Sequence, residues 1–178
     1  MNKKLSKTIQ TAMFAAFICT ATLIIRIPSP LNGYVNLGDC FILASAWFLG
    51  PVYGFAAGSI GSALADLIAG YPVYIPGTFI IKGMLAVTAA LITHRINTAR
   101  PESKFIGYAA GGAAAEVVMI GGYYLYEAIL YGFAPALTGI PGNVVQGVCG
   151  AVAGIALVRA LSAVGVTKKL KAYAEIHA

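Results

Sequence analysis

Residues 51–83 read PVYGFAAGSIGSALADLIAGYPVYIPGTFIIKG. From Val52 to Ala69 the stretch is apolar save for Asp66, long enough for a membrane-crossing helix. Gly50, Gly54, Gly58, Ser62 and Asp66 recur at every fourth position and so share one helix face. Small residues on a face let membrane helices approach closely, and that face turns Asp66 into the bundle, away from lipid. Gly70-Tyr71-Pro72 is a stop signal. A second apolar run, Thr78 to Thr93, again carries one charge, Lys82. A charge in hydrocarbon costs about 2.5 kcal/mol or more, so each needs a partner or a task.

Composition extends this reading to the whole chain. Of 178 residues, 59% are hydrophobic and only 10% charged, with a mean hydropathy of +0.82. Soluble domains carry about 25% charged residues. So few charges cannot cover a water-facing surface, and lipid must be the solvent for most of the molecule. The length allows one domain, residues 1–178. The net charge is +6, and the Lys and Arg cluster as Lys3, Lys4 and Lys7, as Arg95, Arg100 and Lys104, and as Lys168, Lys169 and Lys171. These groups flank apolar segments on one side, which is the positive-inside pattern and argues against nucleic-acid binding. Cys19, Cys40 and Cys149 form no metal spacing and no pair, so they read as small apolar filler.

Six segments follow, at about 8–25, 35–49, 52–69, 78–93, 105–130 and 142–161. The first resembles a signal peptide, yet further spans follow and no small-x-small site does, so it reads as a retained helix. The fold expected is an all-α integral membrane protein of six transmembrane helices in one bundle, multi-pass in the cell membrane. An even number of spans puts both termini on one side. Arg26 is the sole Lys or Arg in the three opposite loops, Arg26–Asn36, Gly70–Gly77 and Tyr131–Pro141. The termini are therefore cytoplasmic and those loops outside. The outer loops are rich in proline and tyrosine, with Tyr34, Tyr71, Tyr74 and Tyr131 suited to a membrane boundary or an aromatic ligand.

Depth brings the polar residues together. At about 1.5 Å per residue, Asp66 lies about 6 Å inside Gly70. Lys82, Glu127 and Gln146 each lie roughly 7–8 Å inside their own outer ends, with Asn143 one turn shallower. Four segments thus bring polar groups to one outer level, which suggests a binding pocket. The plain alternative is ion pairing or snorkelling that helps pack the bundle. Asp66 and Glu127 against Lys82 leave one net negative charge, which favours a neutral donor-rich ligand or a weakly basic heterocycle over an anion. Asn36 and Asp39 open the second segment on the same side, and for Asp39 helix capping and pocket lining stay equally open. Glu116, Tyr123 and Glu127 share one face of the fifth segment. Glu116 is too deep for the outer level and reads as an interhelical hydrogen-bond partner, with a proton relay as the alternative. Ala12 and Ala16, one turn apart, fit either internal packing or a flat surface that docks a second protein.

Several chemistries lack their residues. No Walker-type loop, HExxH or paired metal ligand occurs, and no cofactor or metal is implied. His94 and His177 lie on the inner side without a nucleophile, so an enzyme is the least favoured class. Three classes remain: a binding subunit that needs a separate motor, a proton-coupled carrier using Glu116, and a membrane scaffold with purely structural charges.

Asn36-Leu37-Gly38-Asp39, Gly50-Pro51 with the glycine ladder, Ala65-Asp66-Leu67, Ile81-Lys82-Gly83, Tyr123–Glu127, and Pro141-Gly142-Asn143 with Gln146 occur in an order and spacing that are together specific. With these residues the chain resembles a substrate-specific S component of energy-coupling factor (ECF) transporters, in the riboflavin-transporter-type group. The resemblance implies a six-helix subunit that binds a vitamin or vitamin precursor from outside. It also implies association with a membrane coupling protein and two cytoplasmic ATPases, and toppling in the membrane to release the ligand inwards. It places the coupling-protein contact on Ala12 and Ala16. The substrate-binding set is then Asn36, Asp39, Asp66, Lys82, Tyr123, Glu127, Asn143 and Gln146. The ligand expected is a small polar heterocycle of the hydroxymethylpyrimidine or pyridoxine kind, with riboflavin or pantothenate as alternatives.

Overall fold

The computed structural model describes residues 3–165. Helix α1 spans Lys3–Ile24, and the chain then turns back as a hairpin of strands β1 (Arg26–Ser29) and β2 (Gly33–Asn36). Helices α2 (Gly38–Leu49), α3 (Pro51–Ala69), α4 (Ile75–Ala99) and α5 (Lys104–Tyr131) follow. A short helix α6 (Phe133–Ala136) and a single 3-10 turn lead into α7 (Ile140–Ala163). The six anticipated segments are α1, α2, α3, α4, α5 and α7. Five elements are long and apolar enough to cross a membrane, while α2 has only twelve residues. Lys168, Lys169 and Lys171 lie outside the described residues.

Proline and glycine set the boundaries. Gly50, at φ 83°, makes the turn that lets Pro51 open α3, where its missing N–H costs nothing. Gly70, also at φ 83°, closes α3 in the left-handed conformation that the Gly-Tyr-Pro signal anticipates. Pro76 and Pro141 sit in the first turns of α4 and α7.

The starts of α1 and α2 and both ends of α4 differ from the sequence reading by three residues or more, α1 beginning at Lys3 rather than Thr8. Residues 33–36 form a strand, and α2 starts at Gly38 rather than Val35. The hairpin pairs Arg26 with Asn36 and Ser29 with Gly33. Asn36 Oδ1 accepts the Gly38 N–H at 2.9 Å while its own N–H goes to Gln146 Oε1 at 2.9 Å, which holds this backbone extended. Helix α4 is longer at both ends than 78–93, because Pro76 opens it and nothing breaks it before Pro101.

The hairpin, residues 70–74 and α6 lie at one end of the bundle, with Arg95, Arg100 and Lys104 exposed at the other. In the centre α2 packs against α1, α3, α4 and α7. Ile18, Ile42, Leu43, Leu85 and Met119 are wholly buried there. Outward-facing Val52, Val117, Ile129 and Val152 are more than 60% exposed, as a lipid-facing rim requires. Small residues bring the helices together: a methyl group on Gly61 of α3 would meet the Ala15 carbonyl of α1 at 2.5 Å.

Candidate ligand-binding site

The site begins with a sealed floor. Lys82 of α4 is 2% exposed and pairs with Asp39 of α2, which is fully buried, at 2.5 Å. Asp39 sits at the start of α2, where a helix dipole favours a carboxylate. Gln146 of α7 donates from Nε2 to Asp39 Oδ2 at 2.7 Å. Its Oε1 accepts from the backbone N–H of Asn36, and from Asn36 Nδ2 at 3.3 Å. Lys82 also lies 5.4 Å from the centre of the Tyr123 ring. Every partner in this chain is buried and comes from a different element, so the floor ties α2, α4, α7 and β2 together.

Above the floor lies a cavity of about 460 Å³, its open mouth included. A tyrosine from the outer end lies against each of its two acidic walls. Tyr34 of β2 donates to Asp66 Oδ1 at 2.6 Å, and its ring packs 4.8 Å from that of Tyr71. Tyr74 donates to the Leu31 carbonyl at 2.8 Å and reaches Glu127 Oε1 at 3.3 Å. Burial, and then the adjacent carboxylates, push both phenols well above the ordinary tyrosine range, so they stay protonated donors. Thr78 and Tyr123 share a hydrogen bond at 3.0 Å on the same wall. Three buried atoms of the lining, Ser62 Oγ, Asp66 Oδ2 and Glu127 Oε2, have no hydrogen-bond partner among the described residues. Gly139 leaves the space that Glu127 Oε2 occupies, since any side chain there would collide with it.

Over residues 2–163 the sequence matches the family described as ECF-type riboflavin transporter, S component. The chain belongs to this family. This S component is therefore a multi-pass membrane transport subunit and not an enzyme. It is 36% identical over 138 residues to a protein encoded in the gap 3′ region of Pyrococcus woesei, covering 77% of this chain and 88% of that one. It is 25% identical over 151 residues to the thiamine precursor transporter HmpT of Lactococcus lactis subsp. cremoris, covering 84% and 83% respectively. Its fold matches a solved S component of a bacterial ECF transporter with a TM-score of 0.69 at 23% identity, over 89% of this chain and 96% of that structure. The family and the six-helix fold inferred from the sequence both stand.

Seven of the eight site residues named from this S component's sequence line the cavity: Asn36, Asp66, Lys82, Tyr123, Glu127, Asn143 and Gln146. Asp39 lies beneath them. Its carboxylate neither caps α2, whose N-cap position is Leu37, nor lines the cavity; it holds Lys82 and Gln146. Glu116 departs from the expected interhelical hydrogen bond: neither carboxyl oxygen has a partner among the described residues. It packs on Gly147 and Gly150 of α7, and a methyl on Gly150 would lie 2.8 Å from Asp39 Cβ and 3.1 Å from Glu116 Oε1. Gly50, grouped with the ladder by spacing, faces open space, while Gly54, Gly58, Ser62 and Asp66 are buried on one face of α3.

Sequence reasoning left Thr22, Ser29, Gly33, Tyr34, Tyr74, Ser62 and Thr78 out of the lining. Tyr34 and Tyr74 stood out as outer-loop aromatics, and Ser62 stood one turn from Asp66 in the ladder. Only the hairpin brings Tyr34 over Asp66. Ala12 and Ala16 are both exposed on α1, so internal packing does not account for them.

Proposed function

We propose that this S component captures a vitamin or vitamin precursor from outside the cell for an ATP-driven ECF uptake system. Its ligand is a small polar heterocycle of the hydroxymethylpyrimidine or pyridoxine kind. The observation that carries this reading is the cavity at the outer end, with buried polar side chains on its walls and a closed floor. Beneath the floor Leu43, Leu85 and Ala115 are wholly buried, which favours a subunit that holds its ligand over one that conducts it. Membership of the riboflavin transporter S component family and the likeness to a thiamine precursor transporter support a vitamin-type ligand.

In this reading ATP hydrolysis belongs to two cytoplasmic ATPases, joined to this chain through a membrane coupling protein. The exposed Ala12 and Ala16 of α1 form the flat contact for that protein. Release follows movement of the whole subunit in the membrane.

Reconstitution tests the proposal. Purified alone in proteoliposomes, the chain is expected to bind hydroxymethylpyrimidine or pyridoxine without transporting it, and to transport it only with the coupling protein, both ATPases and ATP. Uptake by the chain alone under a proton gradient would instead establish a carrier. Absence of any bound small molecule, by native mass spectrometry and calorimetry, would establish a scaffold.

A further inference from the structure

Each of the three unpartnered atoms of the lining can accept a hydrogen bond. Asp66 Oδ2 and Glu127 Oε2 are acceptors, and Ser62 Oγ both accepts and donates. Asp66 is 4% and Glu127 3% exposed, so an oxygen left without a partner there is costly unless something entering the cavity satisfies it. Tyr34 donates to the other oxygen of Asp66, and Tyr74, whose one hydroxyl proton goes to the Leu31 carbonyl, lies 3.3 Å from the other oxygen of Glu127, so one oxygen of each acid is left without a partner among the described residues. Among the described residues that line the cavity no unpaired cation balances them. Lys82, the sole Lys or Arg in the lining, is taken by Asp39. The sequence estimate of one net negative charge, made with Lys82 set against Asp66 and Glu127, thus understates the acidity offered to a ligand.

On the reading that this cavity captures a vitamin-type molecule, we infer that the ligand is an amino-substituted nitrogen heterocycle with two separate N–H or O–H donors and a tendency to carry positive charge, bound between Asp66 and Glu127. An exocyclic amine meets one carboxylate and a second donor, such as a hydroxymethyl group, meets the other. The ring lies among Tyr34, Tyr74 and Tyr123, aromatic side chains that line the cavity. A flavin's ring edge sets two carbonyl acceptors about a single N–H, and pantothenate carries a carboxylate; turned to the acids, either group would set lone pairs against buried lone pairs. Asp66 and Glu127 are thereby the specificity-determining pair.

The test uses the full chain in detergent micelles, freed of any co-purified molecule. Calorimetry is run with 4-amino-5-hydroxymethyl-2-methylpyrimidine, its 4-oxo analogue, pyridoxine, riboflavin and pantothenate. The amino compound is expected to bind tightest, and the 4-oxo analogue about 100-fold more weakly, because it replaces a donor by an acceptor. Asp66→Asn and Glu127→Gln, near-isosteric changes whose folding is checked by thermal midpoint, should each weaken the amino compound about 10- to 100-fold. Tighter or equal binding of any other compound, or wild-type affinity in both variants, overturns the inference and leaves vitamin capture standing. If none of the five binds and native mass spectrometry finds no small molecule, the capture reading itself fails.

Discussion

Lys82 sits between a buried carboxylate, an aromatic ring and the cavity, and it neutralises the deepest acid of the floor. Removing one member of a buried ion pair strands the other, at about 3–5 kcal/mol, whereas removing both is far cheaper. Lys82→Met is therefore expected to lower the unfolding free energy in micelles by about that amount, and Asp39→Asn in the same chain to recover more than half of it. A thermal or denaturant series on the single and double variants checks this. Equal losses in both would show that the pair does not act as a unit. Tyr34→Phe removes a bond to a carboxylate, typically about 1.5–3 kcal/mol. Hydrogen exchange of the hairpin amides should then quicken about tenfold or more, with the helices unchanged. The depth of these charges was legible from the rise per residue, because that needs only a helix and a starting point. The partner of Lys82 was not legible. Asp39 appeared to begin a helix in an outer loop, and only the hairpin's return places it under the cavity.

At the scale of elements, close approach decides the packing. In lipid no hydrophobic force drives helices together, so steric fit carries the association. Gly61→Ala sets a methyl against the backbone of Ala15, which cannot step aside without moving α1 from α3. A loss of about 1–3 kcal/mol is expected, read as a lower thermal midpoint, with ligand affinity largely kept because Gly61 does not line the cavity. The long spans were legible because hydropathy marks them without reference to neighbours. The hairpin was not. Its strands are four residues each, carry Pro28 and show no clean alternation, so nothing local distinguishes them from a loop. They are held instead by Gln146 and Asp66, which lie far along the chain.

For the molecule as a whole, an end and a flank divide the work in our proposal: the outer end holds the ligand and the exposed α1 stripe meets the coupling protein. Ala12→Leu with Ala16→Leu is then expected to leave ligand affinity within about twofold and to abolish co-purification with the ECF module. Intact assembly would remove that role from α1. The charge asymmetry that set the orientation is kept in the structure, with Arg95, Arg100 and Lys104 at the end opposite the hairpin.

Helix α2 gives the site its size. Twelve residues rise about 18 Å, against about 30 Å of hydrocarbon, and its neighbours run far longer. The chain reaches Gly38 as a strand, so the turns that would complete a central column are missing, and the cavity stands where they would be. One added turn at the amino end of α2 would fill the chamber, and one fewer would deepen it by about 5 Å. The volume above Asp39 is thus set by where one helix begins, and the outer shell of longer helices is indifferent to that start.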